Sequence, residues 1–388
     1  MKRIKTIPLS EPYIIGNEIT YIKNSIQKRE LTFGKYCNLF NNSIKKLTKS
    51  KYSILCSSGT AALHISMKVA GVKEDDEVIV PTLTFIATIN SIAYNNASPI
   101  FMDTDDYFNL DEDKSISFIK KNTYFKNGYS YNKKTKKRIS ALIIVHVWGN
   151  AAKVNKLIKL CRIKNIKVIE DATESLGTFY KKNNKKYKHT GTIGDLGCIS
   201  FNGNKIITAA GGGAIISNNK KYIEKANYYI NQSKDNELFY IHNEIGFNYR
   251  LSNVQSAIGF AQLKSLNKII NYKKKIRDKY INAFKYNNNF AIYSSPDYSI
   301  NNNWMNLLKL KKINKKYNVK SIISYLIKNK VQARPIWQLN HKQKMYKKCQ
   351  TYNIYNANNQ INNSICLPSS ATLKNFEINK IINLLINY

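Results

Sequence analysis

A lysine behind a short polar turn is the first residue whose setting suggests chemistry. Lys205 stands in Ser200-Phe201-Asn202-Gly203-Asn204-Lys205-Ile206-Ile207-Thr208, before the run Gly211-Gly212-Gly213. A primary amine held by a tight loop at a strand end could condense with the carbonyl of a cofactor. Among 62 lysines and arginines one lysine carries little weight alone. The glycine run also fits a plain turn before the next strand. Asp171 ends the apolar run of Val168-Ile169-Glu170-Asp171. A carboxylate there sits where α/β sheets place ligands, and would keep a pyridinium nitrogen protonated. It equally suits a cap on the next turn. Ser57-Ser58-Gly59-Thr60-Ala61-Ala62-Leu63 offers hydroxyls and unpaired backbone N–H groups at a helix start, a setting for a phosphate. An ordinary N-cap by Ser58 or Thr60 explains the same residues. Phe85 is a ring available to stack on a flat cofactor or to join the core.

These groups need a scaffold that brings strand ends together. Between residues 52 and 217, short apolar runs alternate with helical spacing. Residues 77–81, 99–103, 140–147, 167–171, 197–201 and 213–217 read as strands. Residues 60–70, 85–95 and 154–164 read as helices between them. Continuous apolar strands separated by helices predict an α/β unit with a mostly parallel sheet. No helix separates 197–201 from 213–217, so these two are expected to pair as a hairpin at the sheet edge. A long helical region spans 252–285, and the Asn/Lys-rich remainder reads as a smaller α+β domain. The expected division is 1–260, a large domain with its N-terminal segment, and 261–388, the connecting helix and small domain.

Composition sets outer bounds. The chain of 388 residues carries a formal charge of +38, which raises nucleic-acid or anionic-membrane binding. Its lysines are spread along the whole length, and Asn, Ile and Tyr are abundant with them. The reading adopted is therefore composition drift with solvated charge, and no nucleic acid or membrane partner is expected. The densest basic cluster, 133–138, reads as a surface insertion. Six cysteines form no C-x-x-C pair, so neither a metal site nor a disulfide scaffold is expected, and the cytoplasm is the default location. Residues 1–8 lack the apolar core of a signal peptide, and no stretch of about 18 apolar residues occurs.

A phosphate cradle, a strand-end aspartate and a loop lysine, in that order on an α/β scaffold, supply the parts that pyridoxal 5'-phosphate needs. The same residues carry a family resemblance. Ser58-Gly59-Thr60-Ala61-Ala62-Leu63, Val80-Pro81-Thr82, Glu170-Asp171, Ser200-Phe201 with Lys205 five residues after the serine, and Gly246-Phe247-Asn248-Tyr249-Arg250 resemble the DegT-type sugar-nucleotide aminotransferases of the aspartate-aminotransferase (type I) fold. The resemblance runs nearly the whole length. His146-Val147-Trp148-Gly149-Asn150, residues 170–177, 189–195 and 201–208, and Arg334-Pro335-Ile336-Trp337 with Asn340-His341 are similar to the legionaminic-acid-pathway branch.

The resemblance implies a mixed, mostly parallel seven-stranded sheet and a soluble homodimer with shared active sites. It implies that Lys205 holds the cofactor and shuttles protons, and that Asp171 pairs with the ring nitrogen. Gly59, Thr60 and Ser200 would bind the phosphate, Phe85 would stack on the ring, and Glu174 would touch it. Asn248 would reach the phosphate of the neighbouring subunit. Arg250 would face the sugar diphosphate across the same interface, and Arg334, Trp337 and His341 would contact the nucleotide sugar. L-Glutamate would be the amino donor. The acceptor would be a UDP- or GDP-linked 2-acetamido-4-keto-2,6-dideoxyhexose, giving a 4-amino sugar for a legionaminic-acid-type or other surface glycan. GDP-4-keto-6-deoxymannose, as in a GDP-perosamine-type synthase, and a non-catalytic regulatory role are the alternatives. Ala209-Ala210 stand where relatives usually carry Thr and Gly, and little consequence is expected.

Overall fold

A computed structural model describes residues 6–183 and 185–388; the N-terminal residues read above for a signal segment lie partly outside them. Its centre is a sheet of β1 (Tyr52–Cys56), β2 (Glu77–Pro81), β3 (Ser98–Met102), β4 (Ile139–Val145), β5 (Lys167–Asp171), β6 (Leu196–Ser200) and β7 (Gly213–Ser217). The spatial order is β1-β7-β6-β5-β4-β2-β3, and a two-residue strand, Thr351–Tyr352, adds an eighth member beside β3. The α/β fold with a mixed, mostly parallel sheet is thus observed. From β6 to Thr351–Tyr352 every pairing is parallel, while β7 runs antiparallel to both β1 and β6.

Two expectations need correction here. The β6–β7 hairpin forms, but it is not the sheet edge, because β1 covers β7 along five residue pairs. β1 was not read as a strand at all. Its Tyr-Ser-Ile-Leu-Cys run carries only two aliphatic residues, a weaker apolar signal than the runs at 77–81 and 140–147 that were read as strands. The helical region 252–285 is also two helices. The first, Asn253–Lys264, ends where Ser265 N–H bonds Gln262 C=O, and Leu266–Phe284 follows. The sequence carries no glycine or proline there to signal the break.

Alternation along the strands explains why the sheet is buried on both faces. Val78 and Val80 of β2 point into one core with Leu63, Phe40 and Phe201, whereas Ile79 joins a second core with Ile100, Leu142 and Ile144. A third core lies under a four-stranded sheet of residues 290–292, 306–310, 364–367 and 334–335. It collects Tyr280, Phe284, Leu308, Leu326 and Ile381, together with Ile7 from the N-terminal segment. The basic stretch 133–138 follows a hairpin, Thr123–Lys126 with Tyr129–Asn132, on whose surface Tyr124 and Tyr131 stack. Among the described residues no helix is long and apolar enough to cross a membrane.

Candidate active site

The site forms where β1, β5 and β6 end. β1 runs into Ser58, whose hydroxyl accepts from Ala61 N–H at 2.9 Å and caps α1 (Gly59–Val69). Ser58 is therefore the cap. The N–H groups of Gly59 and Thr60, in the first turn, have no acceptor within the helix. Glycine is needed at 59, because a Cβ there would stand 2.8 Å from the Cβ of Ser200 and 3.1 Å from Thr173 Cγ2. The bare backbone leaves a cradle between the helix N-terminus and the Ser200 hydroxyl that suits phosphate oxygens. The glycine run closes the other side. Ser58 bridges Gly212, and a Cβ on Gly213 would stand 2.5 Å from the Ser58 carbonyl oxygen.

Asp171, at the end of β5, is buried. Its Oδ1 accepts Thr173 N–H at 3.1 Å, and its Oδ2 accepts the Thr88 hydroxyl at 2.7 Å. Lone-pair directions remain for a further donor such as a protonated ring nitrogen. Thr88 belongs to α2 (Ile86–Ala93) and escaped the sequence reading. It lies 83 residues from Asp171 along the chain, and no spacing rule connects them.

Lys205 follows β6 on a turn closed by its own N–H to Asn202 C=O, with Ala209 N–H returning to Phe201 C=O. Its Nζ lies 3.4 Å from Glu174 Oε1 and 4.6 Å from the ring centre of Trp304. Glu174 Oε2 accepts Trp148 N–H at 2.8 Å. Burial raises the Glu174 carboxyl above its usual range, opposed chiefly by the Lys205 amine.

Ala210 takes φ +59°. The left-handed region is unfavourable for a residue with a Cβ, so alanine is strained at the position where the resemblance implies glycine. Trp148 is also left-handed, at φ 51°. Its indole stacks on Trp337 at 4.8 Å, and Phe85 lies 6.0 Å from Trp337. Phe85 is half exposed, in keeping with a ring offered to the cleft rather than to the core.

A cleft of about 660 Å³ gathers Gly59, Thr60, Phe85, Asp171, Glu174, Ser200, Lys205, Arg334 and Trp337. Thr88, Trp148 and Trp304 line it as well. Trp304, one of three tryptophans, was left unassigned by the sequence; its rarity was the one available signal. Three expected residues lie outside the lining. His341 is hydrogen-bonded to Thr82, Nδ1 to Oγ1 at 2.7 Å, and stands behind the lining of the cleft. Burial lowers its imidazole below the usual range. Asn248 is exposed and bridges Asn231, and Arg250 Nη1 lies 3.4 Å from Asn231 Oδ1 and from Gln232 Oε1. No cluster of three or more His, Cys, Asp or Glu suited to a metal occurs among the described residues.

The residues present therefore fit pyridoxal 5'-phosphate: a phosphate cradle that a Cβ would fill, a buried carboxylate with spare acceptor capacity, and a primary amine at the cleft wall. The DegT/DnrJ/EryC1/StrS aminotransferase family profile matches residues 12–386. The pyridoxal phosphate-dependent aminotransferase EpsN of Bacillus subtilis is 32% identical, covering 99% of this chain and 96% of its own. A GDP-perosamine synthase of Vibrio cholerae is 31% identical over 98% of this chain and 99% of its own. The structure of PseC from Helicobacter pylori, an aminotransferase of pseudoaminic acid biosynthesis, superposes with a TM-score of 0.85 at 22% identity, covering 99% of each chain.

Proposed function

The chain belongs to the DegT/DnrJ/EryC1/StrS aminotransferase family, a pyridoxal phosphate-dependent family, and from this premise we propose that it moves an amino group from L-glutamate to C4 of a nucleotide-linked 4-keto-6-deoxy sugar. The observation that carries the reading is the convergence of Lys205, Asp171 and the Gly59–Thr60 helix start on one cleft.

When bound, pyridoxal phosphate supplies a carbonyl that carries nitrogen between donor and acceptor and a ring that takes up negative charge. Gly59, Thr60 and Ser200 hold its phosphate, and Asp171 keeps the ring nitrogen protonated. Phe85 covers one ring face. Lys205 would anchor the group through its amine, and that amine is the base that would take the donor's α-proton and the acid that would return it. Glu174 lies within reach of the Lys205 amine to receive it between these steps. Trp148 and Trp337 offer a flat wall to a base or sugar face, and Arg334 at the rim suits a diphosphate.

The active unit is a homodimer. Leu238, Phe239, Tyr240 and Ile245 are each at least 70% exposed in the segment that leads to Asn248 and Arg250, and this apolar surface suits a second copy. Asn248 then reaches the partner's phosphate cradle, and Arg250 the partner's sugar diphosphate. The Arg250 Nε is buried with no hydrogen-bond partner among the described residues, which favours an anion arriving from outside the chain.

The preferred acceptor is a UDP- or GDP-linked 2-acetamido-4-keto-2,6-dideoxyhexose, in a legionaminic-acid-type or other surface-glycan route within the cytoplasm. GDP-4-keto-6-deoxymannose is the second reading, favoured by the likeness to a GDP-perosamine synthase over both full lengths. Mass spectrometry of products from a panel of 4-keto sugar nucleotides with L-glutamate separates the two. An amino product from none of the panel overturns the proposal, and full turnover by a Lys205→Ala variant overturns the role of Lys205.

A further inference from the structure

Trp304 holds the loop of Lys205 at two points. Its indole face lies 4.6 Å under the Lys205 Nζ, and its Nε1–H donates to the Asn204 carbonyl at 2.7 Å. The same carbonyl accepts the Ser10 hydroxyl at 3.3 Å. Asn204 immediately precedes Lys205, so one tryptophan grips both the backbone at the lysine's root and the amine at its tip. Its own position is fixed from behind. The Nζ of Lys273, in the helix Leu266–Phe284, donates to the Trp304 carbonyl at 3.2 Å and to the Ser369 carbonyl at 2.5 Å.

Lys273 is an unusual strut. It is buried, and among the described residues no carboxylate pairs with it. Burial pushes its amine down to about 7. Its two acceptors belong to backbone on different elements. Ser369 follows the strand 364–367, and its hydroxyl accepts Asn306 N–H at 2.9 Å, two residues beyond Trp304. The strut therefore ties the long helix, the Trp304 segment and the small sheet together at one point behind the cleft.

We propose that Trp304, held by Lys273, is a positioning residue that sets the direction from which the Lys205 amine meets the cofactor carbon. The inference rests on Lys205 being the anchoring lysine. An amine free to rotate samples several rotamers, and reaction needs one of them; a ring beneath it and a clamp on its backbone remove the others. The ring face attracts the protonated amine without occupying its N–H donors.

Stopped-flow capture of pyridoxal 5'-phosphate by cofactor-free protein, followed by visible absorbance, tests this together with kcat and KM. The parent protein must form the covalent link, read as the absorbance of the lysine imine, and Lys205→Ala must bind the cofactor without it; if that fails, the assignment of Lys205 falls and not the role of Trp304. Trp304→Leu is expected to slow capture and kcat by about tenfold, with KM for the keto-sugar within about twofold, measured well below its lowered thermal midpoint. Trp304→Phe keeps a ring beneath the amine and recovers most of the rate. Capture and kcat at parent values in Trp304→Leu overturn the proposal. So do equal losses in the Leu and Phe variants with KM rising in step. Should Trp304→Leu not fold, Lys273→Met carries the test, because it leaves every cleft residue in place: slower capture at unchanged KM supports the strut, and parent-like capture overturns it.

Discussion

The hydroxyl of Thr88 donates to Asp171 Oδ2 at 2.7 Å, joining the first turn of a helix to the end of the central strand beneath the cleft. Thr88 is also 3.1 Å from the Thr84 hydroxyl, so the carboxylate is held through a short chain of buried hydroxyls. Thr88→Val keeps the shape and removes the donor. Stability is expected to fall by about 1–3 kcal/mol, because a buried carboxylate loses a partner. Cofactor affinity should fall as Asp171 turns more freely. Urea denaturation and a cofactor titration read the two effects, and a variant matching the parent in both would remove Thr88 from the site.

Asp171 and Lys205 are expected to fail in different ways. Lys205→Ala should bind the cofactor without covalent anchorage and show no turnover. Asp171→Asn should retain the anchored cofactor yet lose several orders of magnitude in kcat, since the ring is no longer held protonated. Absorbance spectra and steady-state rates of the two variants distinguish these outcomes.

Ala210, at φ +59°, is a place where stability can be gained. Ala210→Gly should stabilise the protein by about 0.5–1 kcal/mol, because glycine meets no Cβ clash in the left-handed region and the gain exceeds its added unfolded-state entropy. A denaturation midpoint that does not rise would contradict the observed backbone at this loop.

Two buried histidines set a direction for the pH dependence. His64 and His189 are each held neutral, lowered from 6.5 to about 4 by burial. Between those values the unfolded chain binds more protons than the folded one, so stability falls as pH falls from about 6.5 toward 4. The His64 Nδ1 has no partner among the described residues and its ring packs edge-on to Phe247 at 4.8 Å. His64→Phe should therefore lose about 1–2 kcal/mol less stability than the parent between about pH 7.5 and pH 5. Denaturation at the two pH values measures the difference.

Leu238 and Ile245 are 77% and 80% exposed on the segment before Asn248. Leu238→Asp combined with Ile245→Asp should yield a folded monomer by sedimentation velocity. Its turnover should be strongly reduced, since Asn248 and Arg250 could no longer complete a partner's site. A dimeric double variant with parent activity would place the interface elsewhere.

Much of the scaffold was legible because its signals are local. Glu77–Pro81 and Lys167–Asp171 are short apolar runs bounded by breakers, and their burial on both faces follows from that composition. β1 was missed because its Tyr-Ser-Ile-Leu-Cys run has only two strongly apolar aliphatic residues, and the helix break at Ser265 was missed because the residues around it are good helix formers. The edge role assigned to the hairpin failed for the first reason: β1 was absent from the count.

The candidate site divides along the same line. The order of Gly59, Asp171, Ser200 and Lys205 and their places at element ends were set by the chain alone, since glycine beside a helix start and a carboxylate at a strand end have local causes. Which residues surround them was decided only by the packed fold. Thr88 against Asp171, Trp304 against Lys205, Trp148 against Trp337, and His341 against Thr82 join segments 83 to 259 residues apart. Such contacts leave no spacing in a sequence, because they arise from helices and strands docking rather than from any period within them. Lys205 could be picked from its loop, but what steadies it came from a tryptophan 99 residues later that no motif recorded.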